Sequence, residues 1–334
     1  MKKILVSAVL VLTAVFAFAA GNKEQMGDKT IVLRLGDNHP DGYPTVVGDL
    51  EFARLVKERS NGRIVVEVYN NGVLGDQKSV VEQVQFGGID FVRTSISSLA
   101  AFYPDINALQ APYLFRNADH MWKVLNGEIG DYFLNSVKSN GFIGLCWFDA
   151  GARSFYNTKK PIYTVADLKG MKIRVPGSQL FINTLNAMGA SATPLPFSET
   201  ISAVQQGVVD GLEGTMDAYG VNGSSEVAKK MALTNHFLGT CGVYINADLF
   251  NSIPKEYQTI IQEEFTKGAA HMISEVSKNY STAKAKLESQ GITFNEVDHD
   301  AFAKAVAPVY ANMKGTTPGI VDKFRAEIAR MPKK

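Results

Sequence analysis

The stretch spanning residues 151–214 constrains the fold and function of this chain more than any other. Within it, Lys172–Val175 is a short run flanked by apolar residues and predicts a β-strand. A Pro-Gly pair ends this strand, and Ser178 is expected to cap a helix over residues 179–188. Arg174 then lies near a strand end and faces a helix N-terminus, which suits an anion because both present N–H donors. A structural ion pair with a nearby acid is the alternative role for Arg174.

The N-terminal part of the chain alternates between strand and helix patterns. Residues 30–35 and 64–69 predict strands, whereas residues 44–59 and 76–86 carry helix-forming sequence between turn residues. This β-α-β-α order predicts an α/β fold with helices on the faces of a sheet. Residues 255–290 are nearly all helix-forming and predict one long helix.

A short internal sequence repeat suggests that the α/β unit occurs twice. Residues 84–90 and 204–210 share a helix end, a glycine, an apolar strand start and a closing aspartate, Asp90 or Asp210. Seven positions are too few to prove a duplication, but they favour two similar domains that face each other. Ligands bind beyond the strand ends of such sheets.

The length and net charge of the chain limit the classes of protein to which it can belong. A chain of 334 residues can form two domains. Met1-Lys2-Lys3 and the apolar run Ile4–Ala20 are typical of a signal peptide, predicted over residues 1–19, with a retained anchor as the alternative. Its removal changes the formal net charge from +1 to −1, which argues against nucleic acid as a partner. Because the signal lacks a terminal cysteine, we expect export to the periplasm without a lipid anchor.

An ordered set of motifs over nearly the whole mature chain resembles the solute receptors of TRAP transporters, the DctP-type binding proteins. The motifs are Gly-Ala-Arg at 151–153, Leu-Lys-Gly-Met-Lys-Ile-Arg-Val-Pro at 168–176, Ala-Thr-Pro-Leu-Pro-Phe-Ser-Glu at 192–199, Ala-Val-Gln-Gln-Gly-Val-Val-Asp-Gly-Leu-Glu at 203–213, Asn-Gly-Arg-Ile at 61–64, Leu-Gly-Asp at 74–76 and Ala-Pro-Tyr-Leu-Phe at 111–115. The resemblance implies a two-domain periplasmic binding protein fold, with mixed sheets flanked by helices and a long helix spanning both domains.

Domain boundaries follow from this resemblance and from the strand pattern. Domain 1 is predicted to comprise residues 28–150 and 240–285, and domain 2 residues 151–239 and 286–334. Cys146 lies near one predicted crossing between the domains, and Cys241 near the other. We therefore expect the two cysteines to be spatial neighbours, as buried free thiols rather than a disulfide.

The resemblance also assigns four residues to solute binding. It implies that Arg174 clamps a carboxylate of the solute and that Arg153 assists it. Phe197 matches an aromatic position that packs against the solute, and Asn38 a polar contact from domain 1. The alternatives are that Phe197 packs in the core and that Asn38 forms hydrogen bonds with the backbone of its own loop.

Five further candidates lie at predicted strand ends or helix starts. Thr94 and Ser95 are expected to contact distal groups of the solute, and Arg93 either adds a second cationic donor or points away by strand alternation. Asp76 lies at the cleft edge or caps the following helix. Glu213 either accepts hydroxyl groups or braces one of the arginines, and bracing is favoured because an unpaired carboxylate would repel an anionic solute.

One position departs from the family pattern. Many members of the resembled family carry an Asn donor directly after the position of Glu213, but here that residue is Gly214. Thr215, Asp217 or Tyr219 is expected to replace this donor, or the solute differs.

These observations predict a receptor that delivers a small organic acid to the small and large TRAP membrane subunits, which are DctQ- and DctM-like. A sugar acid such as a hexuronate or aldonate is the expected solute, and a C4-dicarboxylate or 2-oxo acid is the alternative. We expect neither metal nor cofactor. An exported enzyme using Asp210 and Glu213 is disfavoured, because the matching Asp90 suggests that Asp210 is structural.

Overall fold

A computed structural model describes residues 30–331, apart from the side chains of residues 276–282. The predicted signal peptide over residues 1–19 lies outside the described residues. Within the described range, no helix is both long and apolar enough to cross a membrane.

The described strands form one mixed sheet. Its order is β2-β1-β3-β8-β4-β7-β5-β6, and β9 pairs with β8. The strands are β1 (Ile31–Gly36), β2 (Ile64–Tyr69), β3 (Phe91–Ser95), β4 (Phe142–Asn157), β5 (Lys172–Val175), β6 (Ser191–Pro194), β7 (Gly211–Thr215), β8 (Lys230–Asn246) and β9 (Thr293–Asn295). Parallel strands β2-β1-β3 form one half of the sheet and β7-β5-β6 the other.

Two long antiparallel strands, β4 and β8, join the two halves. Their pairing is interrupted between Asp149 and Ala152, where β4 changes register against β8. Strand β8 begins at Lys230, within a run of helix-forming residues that extends to Ala232. Pairing with β4 overrides local helix propensity there, as tertiary contacts often do. The domain boundaries predicted beside this irregularity stay a prediction.

Helices cover both faces of the sheet. They are α1 (Pro44–Arg59), α2 (Gln77–Gln85), α3 (Ile96–Leu99), α4 (Ala118–Leu125), α5 (Glu128–Ser136), α6 (Gln179–Ala187), α7 (Thr200–Gln205), α8 (Met216–Val221), α9 (Ser224–Val227), α10 (Ala247–Ser252), α11 (Lys255–Ser289), α12 (His299–Val306) and α13 (Ile320–Arg330). Ser178 precedes α6, but its side chain makes no capping hydrogen bond, so that prediction is wrong.

The long helix α11 packs on both halves of the molecule. Near its start, Phe265 stacks on Phe52 of α1 in the core under β1 and β3. Near its end, Leu287 belongs to a separate core with Leu212 of β7 and Met231 of β8. The predicted helix spanning both halves is therefore present.

The aspartate that closes each copy of the internal sequence repeat has the same structural role in both halves. Asp90 accepts a hydrogen bond from the backbone N–H of Arg34 in β1 at 2.6 Å. Asp210 accepts one from the backbone N–H of Lys172 in β5 at 2.9 Å. Each aspartate thus holds a neighbouring parallel strand, which gives Asp210 a structural role.

The two cysteines lie on adjacent strands, as predicted. Cys241 of β8 is opposite Phe148 of β4, two positions from Cys146. Both thiols are buried and free, and they belong to the same hydrophobic core.

Helices α1 and α11 approach closely because glycine faces glycine at their crossing. A Cβ added at Gly268 would lie 2.8 Å from the carbonyl oxygen of Gly48 and 3.1 Å from the Cβ of Phe52. Gly268→Val should therefore lower the free energy of unfolding by about 1–3 kcal/mol, because the helices would have to separate. The matched control is Gly220→Val in α8, where an added Cβ meets nothing within 4 Å. Urea denaturation that shows equal stability changes for both variants would contradict the close crossing.

Candidate functional site

A pocket opens beyond the carboxyl ends of the parallel strands of both halves, with β4 contributing from between them. The first half lines it with Asn38, His39, Tyr43, Asp76, Gln77, Lys78, Ser95, Ser97 and Ser98. The second half and β4 line it with Arg153, Tyr156, Arg174, Pro176, Gly177, Pro194, Leu195, Pro196, Phe197, Glu213, Gly214, Thr215 and Ala218. This is where ligands bind in open α/β sheets.

Arg174 brings a positive charge to this pocket. Its Nε and one terminal nitrogen donate to the carbonyl oxygen of Leu195 at 3.0 and 2.7 Å. Burial lowers the pKa of its guanidinium to about 10, so it stays protonated at neutral pH. The guanidinium carbon lies 5.8 Å from the centre of the Phe197 ring. Among the described residues, no carboxylate forms a salt bridge with Arg174, which leaves its charge for a solute.

Arg153 is neutralised by a carboxylate. It holds Glu213 in a bidentate pair, with both nitrogen–oxygen distances at 2.6 Å. Burial raises the pKa of Glu213, but the charge of Arg153 and the His236 side chain outweigh this and lower it to about 2. The predicted bracing role of Glu213 therefore agrees with the geometry.

Arg93 lies behind the pocket rather than in its lining. Its side chain is fully buried, and it forms a salt bridge and hydrogen bonds with Asp37. The charge of Arg93 keeps the pKa of Asp37 well below its usual range although burial alone would raise it. Arg93 therefore has no free charge for a second carboxylate, and of its two expected roles the geometry favours the one in which it points away from the solute.

The same arginine orients Asn38. Arg93 donates to the side-chain oxygen of Asn38 at 3.2 Å, and Gln77 donates to that oxygen at 2.8 Å. Because both bonds occupy the oxygen, the amide nitrogen of Asn38 is left to donate to the pocket. Arg93 is thus a positioning residue for the predicted polar contact.

The remaining candidates of the first half divide between the lining and the layer behind it. Ser95 lines the pocket and also accepts a hydrogen bond from the Ser97 backbone at the start of α3. Asp76 lines the rim and caps α2 by accepting from the Ser79 backbone at 2.9 Å, so both proposed roles fit it. Thr94 is fully buried and outside the lining, and its hydroxyl lies 3.4 Å from Gln77 Oε1.

Thr215 links the two halves at the pocket wall. Its hydroxyl caps α8 by accepting from the Ala218 backbone, and it is 3.0 Å from the hydroxyl of Tyr43. The rings of Phe197 and His39 meet edge to face, with their centres 5.3 Å apart. Burial lowers the pKa of His39 to about 4, so this ring is neutral at pH 7.

The comparisons with known proteins agree with this geometry. The model of the bacterial extracellular solute-binding proteins, family 7 (DctP), matches residues 35–316. The chain belongs to this family. A solute-binding protein of Chromohalobacter salexigens is 32% identical over 273 residues, which cover 81% of each chain.

Solved structures of TRAP periplasmic solute-binding proteins have the same fold. One from Xanthobacter autotrophicus with bound β-D-galacturonate has a TM-score of 0.86 and 32% identity, and the match covers 90% of this chain and 100% of that one. One from Fusobacterium nucleatum with bound sn-glycerol-3-phosphate has a TM-score of 0.86 and 34% identity, covering 90% and 98%. The predicted fold class and receptor role are confirmed, and this DctP protein is a TRAP solute receptor rather than an enzyme.

Sequence reasoning missed several lining residues of the receptor. Gln77 follows Asp76 directly, and its position as the first residue of a helix beside the cleft was a usable signal. Tyr156 gave no such signal. Strand alternation places it on the sheet face opposite Arg153, and only the structure shows that it lines the same pocket.

A buried carboxylate, Asp149, and a partly buried one, Asp217, flank the irregularity in β4. Asp149 accepts a hydrogen bond from the Gly151 backbone at 2.7 Å, and a Cβ added at Gly151 would lie 3.3 Å from Asp217. Burial raises the pKa of Asp149 to about 6. Burial and the charge of Asp149 raise the pKa of Asp217 to about 6. Both groups therefore titrate near pH 6 at the junction of the two halves.

The stability contributed by Asp149 should depend on pH. Its folded pKa of about 6 exceeds the ordinary aspartate value of 3.8, so the folded state binds more protons between these pH values and stability falls as pH rises through 6. Asp149→Asn keeps the acceptor for Gly151 and should raise the free energy of unfolding by roughly 1–3 kcal/mol at pH 7.5. This gain should shrink towards pH 4.

Thermal melts from pH 4 to pH 8 measure this dependence. Asp322→Asn is the matched control, because that side chain is 78% exposed and lies far from β4 in the chain. A stability difference between Asp149→Asn and the wild type that stays constant over the whole pH range would contradict the assignment.

Proposed function

We propose that this receptor binds a sugar acid, most directly a hexuronate, through a single carboxylate held by Arg174. The observation that supports this is the charge balance of the pocket. Arg174 is the one lining guanidinium of the described chain that lacks a carboxylate partner, because Glu213 neutralises Arg153. A pocket with one free cation complements a solute with one negative charge.

A second carboxylate would find no strong partner at the opposite wall. Lys78 and Asp76 lie exposed at the rim and carry opposite charges. Arg93 is committed to Asp37 in the buried layer. A C4-dicarboxylate would therefore place its second charge among neutral groups, where desolvation is costly.

Neutral polar groups in the first half suit hydroxyl groups. Asn38 presents amide donors, and the hydroxyls of Ser95 and Ser97 lie 2.8 Å apart in the lining. Gln77 holds this wall together by accepting from the backbone N–H of Ser95 and the hydroxyl of Ser98. Hydroxyl groups of a sugar acid can both donate to and accept from such a wall.

The relatives support the same class of solute. The Xanthobacter protein holds β-D-galacturonate, a hydroxylated monocarboxylate. The Fusobacterium protein holds sn-glycerol-3-phosphate, which also joins an anionic group to hydroxyl groups. A polyol phosphate is therefore the second candidate solute.

The receptor would act together with membrane partners. We infer that a cleaved signal peptide directs it to the periplasm, where it delivers the solute to small and large TRAP membrane subunits of the DctQ and DctM types. Closure of the two halves around the solute would provide the state that these subunits recognise.

A thermal-shift screen followed by calorimetry tests the solute class. D-galacturonate, D-glucuronate, sn-glycerol 3-phosphate, succinate and pyruvate are compared at equal concentration, since a ligand that binds the native state raises the melting temperature. We expect a hexuronate to produce the largest shift. A largest shift with succinate or pyruvate would overturn the proposed class.

Arg174→Lys should weaken hexuronate binding by about 10- to 100-fold. Lysine keeps the charge but loses the planar fork that matches a carboxylate and holds the Leu195 carbonyl. Titration calorimetry measures the loss. Arg54→Lys on the exposed face of α1 is the matched control and should leave the affinity unchanged. Equal affinities for wild type and Arg174→Lys would show that Arg174 does not hold the carboxylate.

A further inference from the structure

Gly214 leaves an opening in the pocket wall, and the side chain of Tyr156 fills it. A Cβ added at Gly214 would collide with the phenol oxygen of Tyr156 and would lie 3.2 Å from the ring carbon that carries it. Tyr156 and Gly214 both line the pocket. The glycine therefore exposes a hydroxyl at a place where any larger residue would displace it.

The β4–β7 register explains this arrangement. Ser154 is opposite Gly214 and Tyr156 is opposite Leu212, so Tyr156 is the diagonal neighbour of Gly214 on the same sheet face. Side chains at diagonal positions come within reach of each other when one of them is aromatic. With no side chain at Gly214, the Tyr156 ring crosses the strand and its hydroxyl reaches the pocket.

Within the described residues, the Tyr156 hydroxyl donates no hydrogen bond to the protein. Burial raises the pKa of Tyr156, so the hydroxyl stays protonated although Arg153 and Arg174 act in the opposite direction. These arginines contain only donors and cannot accept its proton. The hydroxyl of Ser224 lies close enough to lower the pKa of Tyr156, but its buried oxygen does not reach hydrogen-bond geometry with the phenol.

We propose that Tyr156 is a specificity-determining residue, which donates its phenol proton to the anionic group of the solute beside Arg174. This inference rests on the proposed function and deepens it, since it names a second donor for the same group. It replaces the expectation that Thr215, Asp217 or Tyr219 supplies the missing donor. Thr215 pairs with Tyr43 and α8, and Tyr219 donates to the Ala228 carbonyl oxygen.

Tyr156→Phe tests the proposal because it removes only the hydroxyl. The probe is whichever of D-galacturonate, D-glucuronate and sn-glycerol 3-phosphate binds the wild type most tightly. We expect calorimetry to show an affinity about 10- to 100-fold weaker, as for a lost hydrogen bond to a charged group. The melting temperature of the unliganded variant should stay close to that of the wild type, because the ring still packs against Tyr219.

Tyr219→Phe is the matched control. Its ring centre lies 4.6 Å from that of Tyr156, but its hydroxyl is bonded within the protein and is outside the pocket lining. This variant should lose thermal stability and keep its affinity. The reverse assignment, in which Tyr156→Phe loses stability but keeps its affinity, would show that the Tyr156 hydroxyl is structural and would overturn the proposal.

A second variant tests the role of the glycine. Gly214→Ala should weaken binding in the wild type because it displaces the hydroxyl, but it should weaken binding much less in the Tyr156→Phe background. Equal losses in both backgrounds would contradict the coupling between the two positions. A wild-type protein that binds none of the three probes overturns the proposed function together with this inference. A wild type that binds, with Tyr156→Phe unchanged, overturns only the inference.

Discussion

The ion pair between Arg153 and the buried Glu213 determines the charge that the pocket offers. The β4–β7 register brings the two side chains together, because Phe155 is opposite Glu213 and Arg153 is opposite Thr215. The two charges lie within hydrogen-bond distance and cancel each other. Because Glu213 is fully buried, removing Arg153 would leave its charge uncompensated at a cost of roughly 3–5 kcal/mol. Arg174 is left as the cation that a solute can neutralise. The proposed preference for a single negative charge is thus a consequence of strand pairing.

The first half uses a second buried arginine in a similar way. Arg93 holds Asp37 behind the wall, and the same guanidinium fixes the oxygen of Asn38. The anionic group and the hydroxyl groups of a solute would therefore meet walls whose polar atoms are already oriented before binding. Preorganisation of this kind improves affinity, since little conformational freedom is lost when the solute binds.

Much of this architecture could be predicted from the sequence, and the failures have physical causes. The strand Lys172–Val175 and the placement of Arg174 follow from local signals, since turn residues mark the strand end. The full length of β8 and the position of Tyr156 depend on partners distant in the chain. Arg93 was ambiguous because alternation alone cannot tell a lining residue from one that pairs with Asp37 in the layer behind. Which carboxylate pairs with an arginine depends on the tertiary structure. Within the described chain, this pairing determines that Arg174, and not Arg93 or Arg153, lacks a carboxylate partner.

The central claim is that the pocket complements one negative charge, and a series of related solutes tests it directly. D-galactose, D-galacturonate and galactarate share a six-carbon polyhydroxy skeleton but carry zero, one and two negative charges at pH 7. Titration calorimetry on the wild-type receptor should show D-galacturonate bound at least about tenfold more tightly than either of the others. Galactarate bound as tightly as D-galacturonate, or more tightly, would contradict the account, because it would require a second free cation in the pocket.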